Sequence, residues 1–470
     1  MATIQTNDIR VQSARNLASS LLNDPSYTFI GRVTPWENDN DPPVPDNSLR
    51  EYYDVQDELL TLKKISATDV VLMIPRLTWV SGIIYDIYRH DYNNDNKAFS
   101  GANNLKDAIY VVINSMGRVY ACLDNDRNSQ SLVEPQSESY VPFYTSDGYQ
   151  WQLLYTISAN RMREYSTTNF IPVYESEQPR PAGEITTVKI EDSGRGYTTS
   201  PKGYTNQIDY YYVPITGNGY NGVARIEIIS GGVGKIDVVR GGRNYTYGTV
   251  NFVKDNCYAS LNDYDRNINK LDPEGAETFK STVIIPPVGG WGVDNRRALY
   301  ASRVGVFSTL KYDMTDSVQD VEFRQVGILS NPDSDNDETL SAYKSIKVTV
   351  QKGEFEVGSL MQQVRPDGIA IGEVVGYDSV NEIVSYIQNP QIHADANGEL
   401  ISFIGDYVLT GTAQATPTSF TGTLNGLDFI GGYATSEIIK NTGMLTYLTN
   451  IRPVKRNDMQ TERISFVISF

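Results

Sequence analysis

The sequence predicts a mostly β, α+β chain: multidomain antiparallel sandwiches or barrels with an N-terminal helix and two inserted β domains. Composition is the first sign, since 32 Tyr and 37 Gly stand against 8 Met and two His. Aromatic side chains suit a pleated, half-buried surface, and glycine supplies the positive φ of tight turns. The second is patterning, because short apolar runs recur between Asn, Asp and Gly clusters. The third is an internal echo. Val188 to Thr198 aligns without gaps with Ile236 to Thr246, 48 residues on, and Gly194, Arg195, Tyr197 and Thr198 match Gly242, Arg243, Tyr245 and Thr246.

In chain order, Ile9, Val11, Leu17, Leu21 and Leu22 recur at near-helical spacing. They predict a helix over 8–22, capped by Asn7 or Asp8 and stopped at Pro25. A short strand over 27–33 precedes an exposed polar loop, 37–45, in which proline fixes φ and removes donors. Residues 46–64 read as helix or irregular. Residues 69–75 form a near-continuous apolar strand ended by Pro75. Strands are then expected over 83–92, 108–114, 119–123 and 151–157.

From about residue 179 the texture becomes glycine-punctuated. Each echo comprises a strand, a turn needing positive φ and an aromatic that folds back, which predicts paired hairpin units of one β domain. Similar turn chemistry without duplication explains the same residues. Runs at 299–309 and 321–329 resume the ordinary core texture. Short strands at 346–350, 369–375, 383–387, 400–404 and 407–410 then suggest a small sandwich or barrel. The alternation of Ile464, Phe466, Ile468 and Phe470 ends the chain in a strand.

The expected domains are therefore an N-terminal part of the core (1–180), an inserted Gly-rich β domain carrying the repeat (181–295) and a core continuation (296–340). An inserted small barrel or sandwich (341–430) and a C-terminal strand region completing the core (431–470) follow. More than one core is required, because single cores stop growing at roughly 250–300 residues and the chain has 470.

The net charge of −17 repels phosphate backbones, and no Lys/Arg run is interleaved with aromatics, so no nucleic-acid partner is expected. Cys122 and Cys257 are too few for a disulfide framework or a Cys-rich zinc site, and both are expected reduced and packed. The N-terminus has no basic start followed by an apolar core, and no uninterrupted apolar run approaches a membrane span. A protein made in a cytoplasm, soluble and without membrane insertion, is the expectation.

No catalytic, cofactor or metal site is expected. His90 and His393 stand alone, without the partners a base or ligand set needs. No Gly-x-Ser-x-Gly elbow, phosphate loop or His-Glu-x-x-His occurs. Asp333, Asp335, Asp337 and Glu338 resemble the start of a calcium loop. Glu338 stands where glycine is needed, however, and Lys344 where the bidentate Glu belongs. Asp39, Asp41, Asp95, Asp124 and Asp126 sit in Asn/Asp loops that Asx turns explain. Trp36, Trp79, Trp151 and Trp291 are expected as core or interface anchors, with a glycan platform as the competing use. Arg32, Arg76 and Arg324, beside apolar strands, are expected in structural ion pairs at domain junctions.

A series of short motifs keeps one order from end to end: Gly31-Arg32 with Pro35-Trp36, Ile74-Pro75-Arg76 with Trp79, and Tyr120 with Cys122-Leu123-Asp124. Asp147-Gly148-Tyr149 with Trp151 and Phe323-Arg324-Gln325 with Asn331-Pro332 come next. Gly443-Met444 with Tyr447, Asn450 with Arg452-Pro453, and Phe470 complete it. In these the chain resembles the baseplate wedge protein called gene product eight of T-even contractile-tailed phages. The likeness covers about residues 1–175, 296–332 and 436–470, and the two insertions lie outside it. It implies a mostly β, non-enzymatic virion subunit without cofactors, assembled in the host cytoplasm. It also implies a homodimer that joins other wedge proteins around the hub and passes on conformational change when the tail contracts. The competing expectation is a tail-associated glycan-binding protein or glycosidase.

Overall fold

The computed structural model describes residues 4–202, 204–275, 278–311, 321–335, 337–457 and 460–470. The fold is mostly β, with antiparallel sheets, a closed six-stranded barrel and few, mostly short helices. The chain divides into two compact units. One comprises residues 1–14, 72–303 and 469–470, and the other comprises 15–71 and 304–468.

The second unit is organised around Val321–Ser330, a strand buried along nearly its whole length. Ser26–Gly31 pairs with it antiparallel on one side, and the 13-residue strand Met444–Arg456 pairs on the other. Leu59–Lys64 and Thr339–Ser341 extend the sheet beyond Ser26–Gly31. Segments from near both chain termini thus flank one central strand. Tyr27, Phe29, Val55, Leu59, Leu62, Leu329 and Leu340 pack the core on this sheet.

The barrel of this unit closes because Lys344–Lys352 bends to pair with both Ile383–Ile387 and Gln414–Pro417. Gly368–Asp378, Leu360–Arg365 and Leu409–Thr410 complete the ring. Ile346, Val348, Val374, Val384, Tyr386 and Phe403 fill it. Closure removes the exposed sheet edges that short strands would otherwise present.

In the first unit, Arg118–Asn125 lies between Val111–Ile113 and Tyr149–Thr156. Trp151 stacks on Tyr149 with ring centres 5.5 Å apart, and Tyr85 meets it edge-on. A larger sheet carries Tyr210–Gly217, Tyr220–Ile229 and Gly232–Arg243, while Thr187–Asp192 pairs with Lys280–Ile284. Both Cys122 and Cys257 are buried and free.

Several local expectations change. The first helix runs Asn7–Asn23, and the Thr6 hydroxyl, not Asn7 or Asp8, accepts the Ile9 N–H. Residues 46–64 resolve into a helix, Leu49–Asp57, and the strand Leu59–Lys64, whose short, doubly covered apolar run carries no alternation to betray it. Residues 83–92 form no strand. Their backbone is held instead by Asn125 Nδ2 on the Tyr85 carbonyl, by the Tyr149 hydroxyl at the Tyr85 N–H, and by the Cys122 carbonyl at the Tyr88 N–H. Residues 400–404 likewise lack a ladder, because Gln388 and Gln363 side chains bond the Ile401 carbonyl and the Ile404 N–H. The two echoes are not paired hairpins either, since each copy's strand is laddered to a different neighbour.

Candidate functional site

In the second unit, charged side chains gather where the Ser26–Gly31 strand ends. Gly31 opens the turn, and Arg32 follows with φ 60°. The Arg32 guanidinium lies 3.8 Å from the Trp36 ring centre and bonds Glu58 at 3.1 Å. Planar stacking and a charge-assisted bond are the pairing that suits arginine here. Asn389 Nδ2 donates to the other Glu58 oxygen at 3.2 Å. Burial pushes the Glu58 carboxyl up to about 7, against the pull of Arg32 and Asn389. Glu373, also buried and pushed up, accepts from the Thr34 hydroxyl. Nearby, Lys440 donates to the Asp57 carbonyl at 2.6 Å, and burial lowers its ammonium to about 8.

Arg324 is held by the same turn. It donates to the Val33 carbonyl, grips Asp39 with two bonds of 3.0 and 2.9 Å, and reaches Glu322. Asp39 is held below the usual carboxylate range, first by that Arg324 bond. Trp36 donates from its indole nitrogen to the Ile451 carbonyl, Gln325 bonds Asn450, and Arg452 donates to the Asn40 carbonyl. Three sequence-distant segments, 33–40, 322–325 and 450–452, therefore close on one another. Arg32 and Arg324 make ion pairs, in each case with a partner in the same unit. Arg76 differs: among the described residues it reaches Thr78 and the Thr167 carbonyl, both neutral acceptors.

Other flagged residues are used locally. His393 Nδ1 accepts the Asn389 N–H at 2.9 Å, His90 Nδ1 accepts that of Ile285, and burial lowers both imidazoles. Trp79 donates to Ser131, while Trp151 and Trp291 are buried against tyrosines. Trp36 and Trp79 are half-buried. Glu338 pairs with Lys63, Asp333 bonds Thr442, and the Asp337 carbonyl accepts from Tyr27; Asn336 lies outside the described residues. Asp41, Asp95 and Asp126 close turns through their N–H groups, Asp126 on the Asp124 carboxylate. Among the described residues no three His, Cys, Asp or Glu stand together as a metal-holding group, and no helix is long and apolar enough to cross a membrane.

Sequence reasoning did not find the buried Glu58 and Glu373 or the half-buried Lys440, which carry no local mark of their surroundings. It also did not find that Met444–Arg456 is the edge strand of its sheet among the described residues. Exposed Met444 lies in a groove with Leu49, itself 76% exposed, and with Pro45 and Tyr52. A sheet edge beside exposed apolar side chains is what an intermolecular contact uses. No protein-family model matches the chain, and no curated protein matches it.

Proposed function

We propose that the chain is a structural component of a contractile phage tail baseplate wedge. It would join a second copy of itself and other wedge proteins around the hub, and carry the change of state on contraction through rigid-body shifts at its interfaces. In this reading it is a virion protein and performs no chemistry.

The observation that carries the reading is where the ordered motifs meet. Gly31-Arg32, Pro35-Trp36, Phe323-Arg324-Gln325, Asn450 and Arg452 converge on the one turn of the second unit. Gly443 packs against Ser330 and Pro332, where an added Cβ would stand 2.8 Å from the Ser330 carbonyl oxygen. Tyr120, Cys122, Tyr149 and Trp151 share a core cluster in the first unit. Motifs scattered over the chain thus act as two physical joints, which supports kinship over coincidence. The edge position of Met444–Arg456 and the exposed apolar groove beside Met444 would supply a means of assembly.

The test is purification of the tagged chain from infected host cells, with mass spectrometry and electron microscopy of what accompanies it. The expected result is a fixed-stoichiometry complex with other tail proteins, resolving as wedges or rings. Recovery as a free monomer while intact tails lack the chain would overturn the reading.

A further inference from the structure

The first unit holds a cleft of about 860 Å³, walled by Tyr88, His90, Asn244, Pro287, Arg297 and Tyr300. From its shape and chemistry we infer that it binds a neutral saccharide. No tryptophan is among its lining residues.

Size comes first. Small-molecule sites commonly occupy roughly 300–1,000 Å³ and combine apolar walls with a few placed polar groups. Here tyrosine and proline rings give the apolar wall, which suits the C–H face of a sugar ring. The polar groups are single donors and acceptors spread around the wall, as separate hydroxyls require. His90 Nδ1 accepts the Ile285 N–H, so the neutral ring carries its proton on Nε2, a donor with no protein partner among the described residues. The Tyr300 hydroxyl has none there either.

Charge selects the class. Arg297 is engaged twice by Asp8, at 2.9 Å through both Nε and Nη2, so the cleft's cation is already neutralised. A phosphate or carboxylate would have to displace Asp8 and meet the field of a chain with net charge −17. A nucleobase would want a stacking slot, but Tyr88 is held edge-on by Trp291 and Tyr110 at 4.6 and 5.6 Å. A neutral polyhydroxylated ring meets none of these objections.

Tyr300 gives an independent sign. Its φ is +53°, a backbone conformation that a bulky residue adopts at a cost and that glycine adopts freely. Glycine would serve the chain better after the short helix Asn295–Ala298, yet an aromatic ring stands at the cleft wall. Strain of this kind collects at functional sites.

The experiment is saturation-transfer NMR on the full chain with maltotetraose and chitotetraose as probes, and uridine and inorganic phosphate as comparators. Binding is measured again in Tyr300→Gly and in His90→Gln. The expected result is transfer to at least one oligosaccharide, weakened roughly tenfold or more in both variants, with Tyr300→Gly melting no lower than the parent. Absence of transfer to both oligosaccharides, stronger binding of uridine or phosphate, or equal sugar binding by Tyr300→Gly would each overturn the inference.

Discussion

Tyr197 and Tyr245, 48 residues apart, donate their amide N–H groups to Gly231 and Gly183, which are also 48 residues apart. Each tyrosine thus reaches the glycine that opens the other copy. A second exchange follows the same offset: Ile185 N–H bonds the Gly241 carbonyl at 3.0 Å, and Val233 N–H bonds that of Ser193 at 2.9 Å. The two copies face one another about a local two-fold. Gly194 and Gly242 sit at equivalent turns, with φ of 62° and 63°. Each tyrosine ring enters the same core, and each hydroxyl accepts an N–H, Tyr197 from Phe279 and Tyr245 from Gly222. Reciprocal contacts at constant offset favour a duplicated unit over chance turn chemistry.

The symmetry is imperfect, and that predicts unequal mutants. The Tyr245 hydroxyl also donates to the Ile215 carbonyl at 2.7 Å, a second buried bond. An orphaned buried polar group costs about 1–3 kcal/mol. Tyr197→Phe is therefore expected to lower unfolding free energy by about 1 kcal/mol, and Tyr245→Phe by about 2–3 kcal/mol. Urea unfolding followed by fluorescence gives the two values, and equal losses would contradict the assignment.

Glu58 and Lys440 predict an unusual dependence of stability on pH. An unfolded glutamate ionises near 4.5 and the buried Glu58 near 7, so between these values the native state holds a proton that the unfolded chain has released. Stability falls as pH rises through that window, by an amount on the order of 3 kcal/mol. Lys440 acts at the other end. Its folded ammonium ionises near 8 and its unfolded one near 10.5, so stability rises with pH across that interval as the unfolded chain holds the extra proton. Relative to the parent, Glu58→Gln is expected to flatten the fall between pH 5 and 7, and Lys440→Met the rise above about pH 8. Denaturant midpoints from pH 5 to 10 test both. Parallel curves for parent and variants would refute them.

What the sequence made legible was what leaves a local mark. The positive φ of Gly194 and Gly242 and the fold-back of Tyr197 and Tyr245 were readable because glycine and aromatic spacing express turn geometry directly. The strand at residues 383–387 was readable from its compact apolar run, and the folded chain forms it over the same residues, Ile383–Ile387. Residues 83–92 and 400–404 misled because their backbone partners are Asn, Gln and Tyr side chains from distant segments, which no local pattern encodes. The burial of Glu58 and Lys440 depends on what the chain brings over them. The first-unit cleft draws on residues from Thr6 to Tyr300, so its walls have no common motif.

Arg324 tests the joint on which the ordered motifs meet. Its side chain is 5% exposed and makes two parallel bonds to Asp39 as well as one to the Val33 carbonyl. Lysine carries the same charge but cannot present two parallel donors to a carboxylate. In Arg324→Lys, Asp39 keeps its bond from the Trp36 N–H at 2.8 Å and loses the fork. The exposed loop after Trp36 then depends on the Asn450 bond to the Pro43 carbonyl and the Arg452 bond to Asn40. Local opening follows the loss of such ties before the sheet itself weakens. Limited proteolysis is expected to cut Arg324→Lys faster within residues 37–45, with thermal unfolding changed far less. Adding Arg452→Ala is expected to accelerate that cleavage further. Cleavage at the parental rate in both variants would show that the loop is held by something other than this joint.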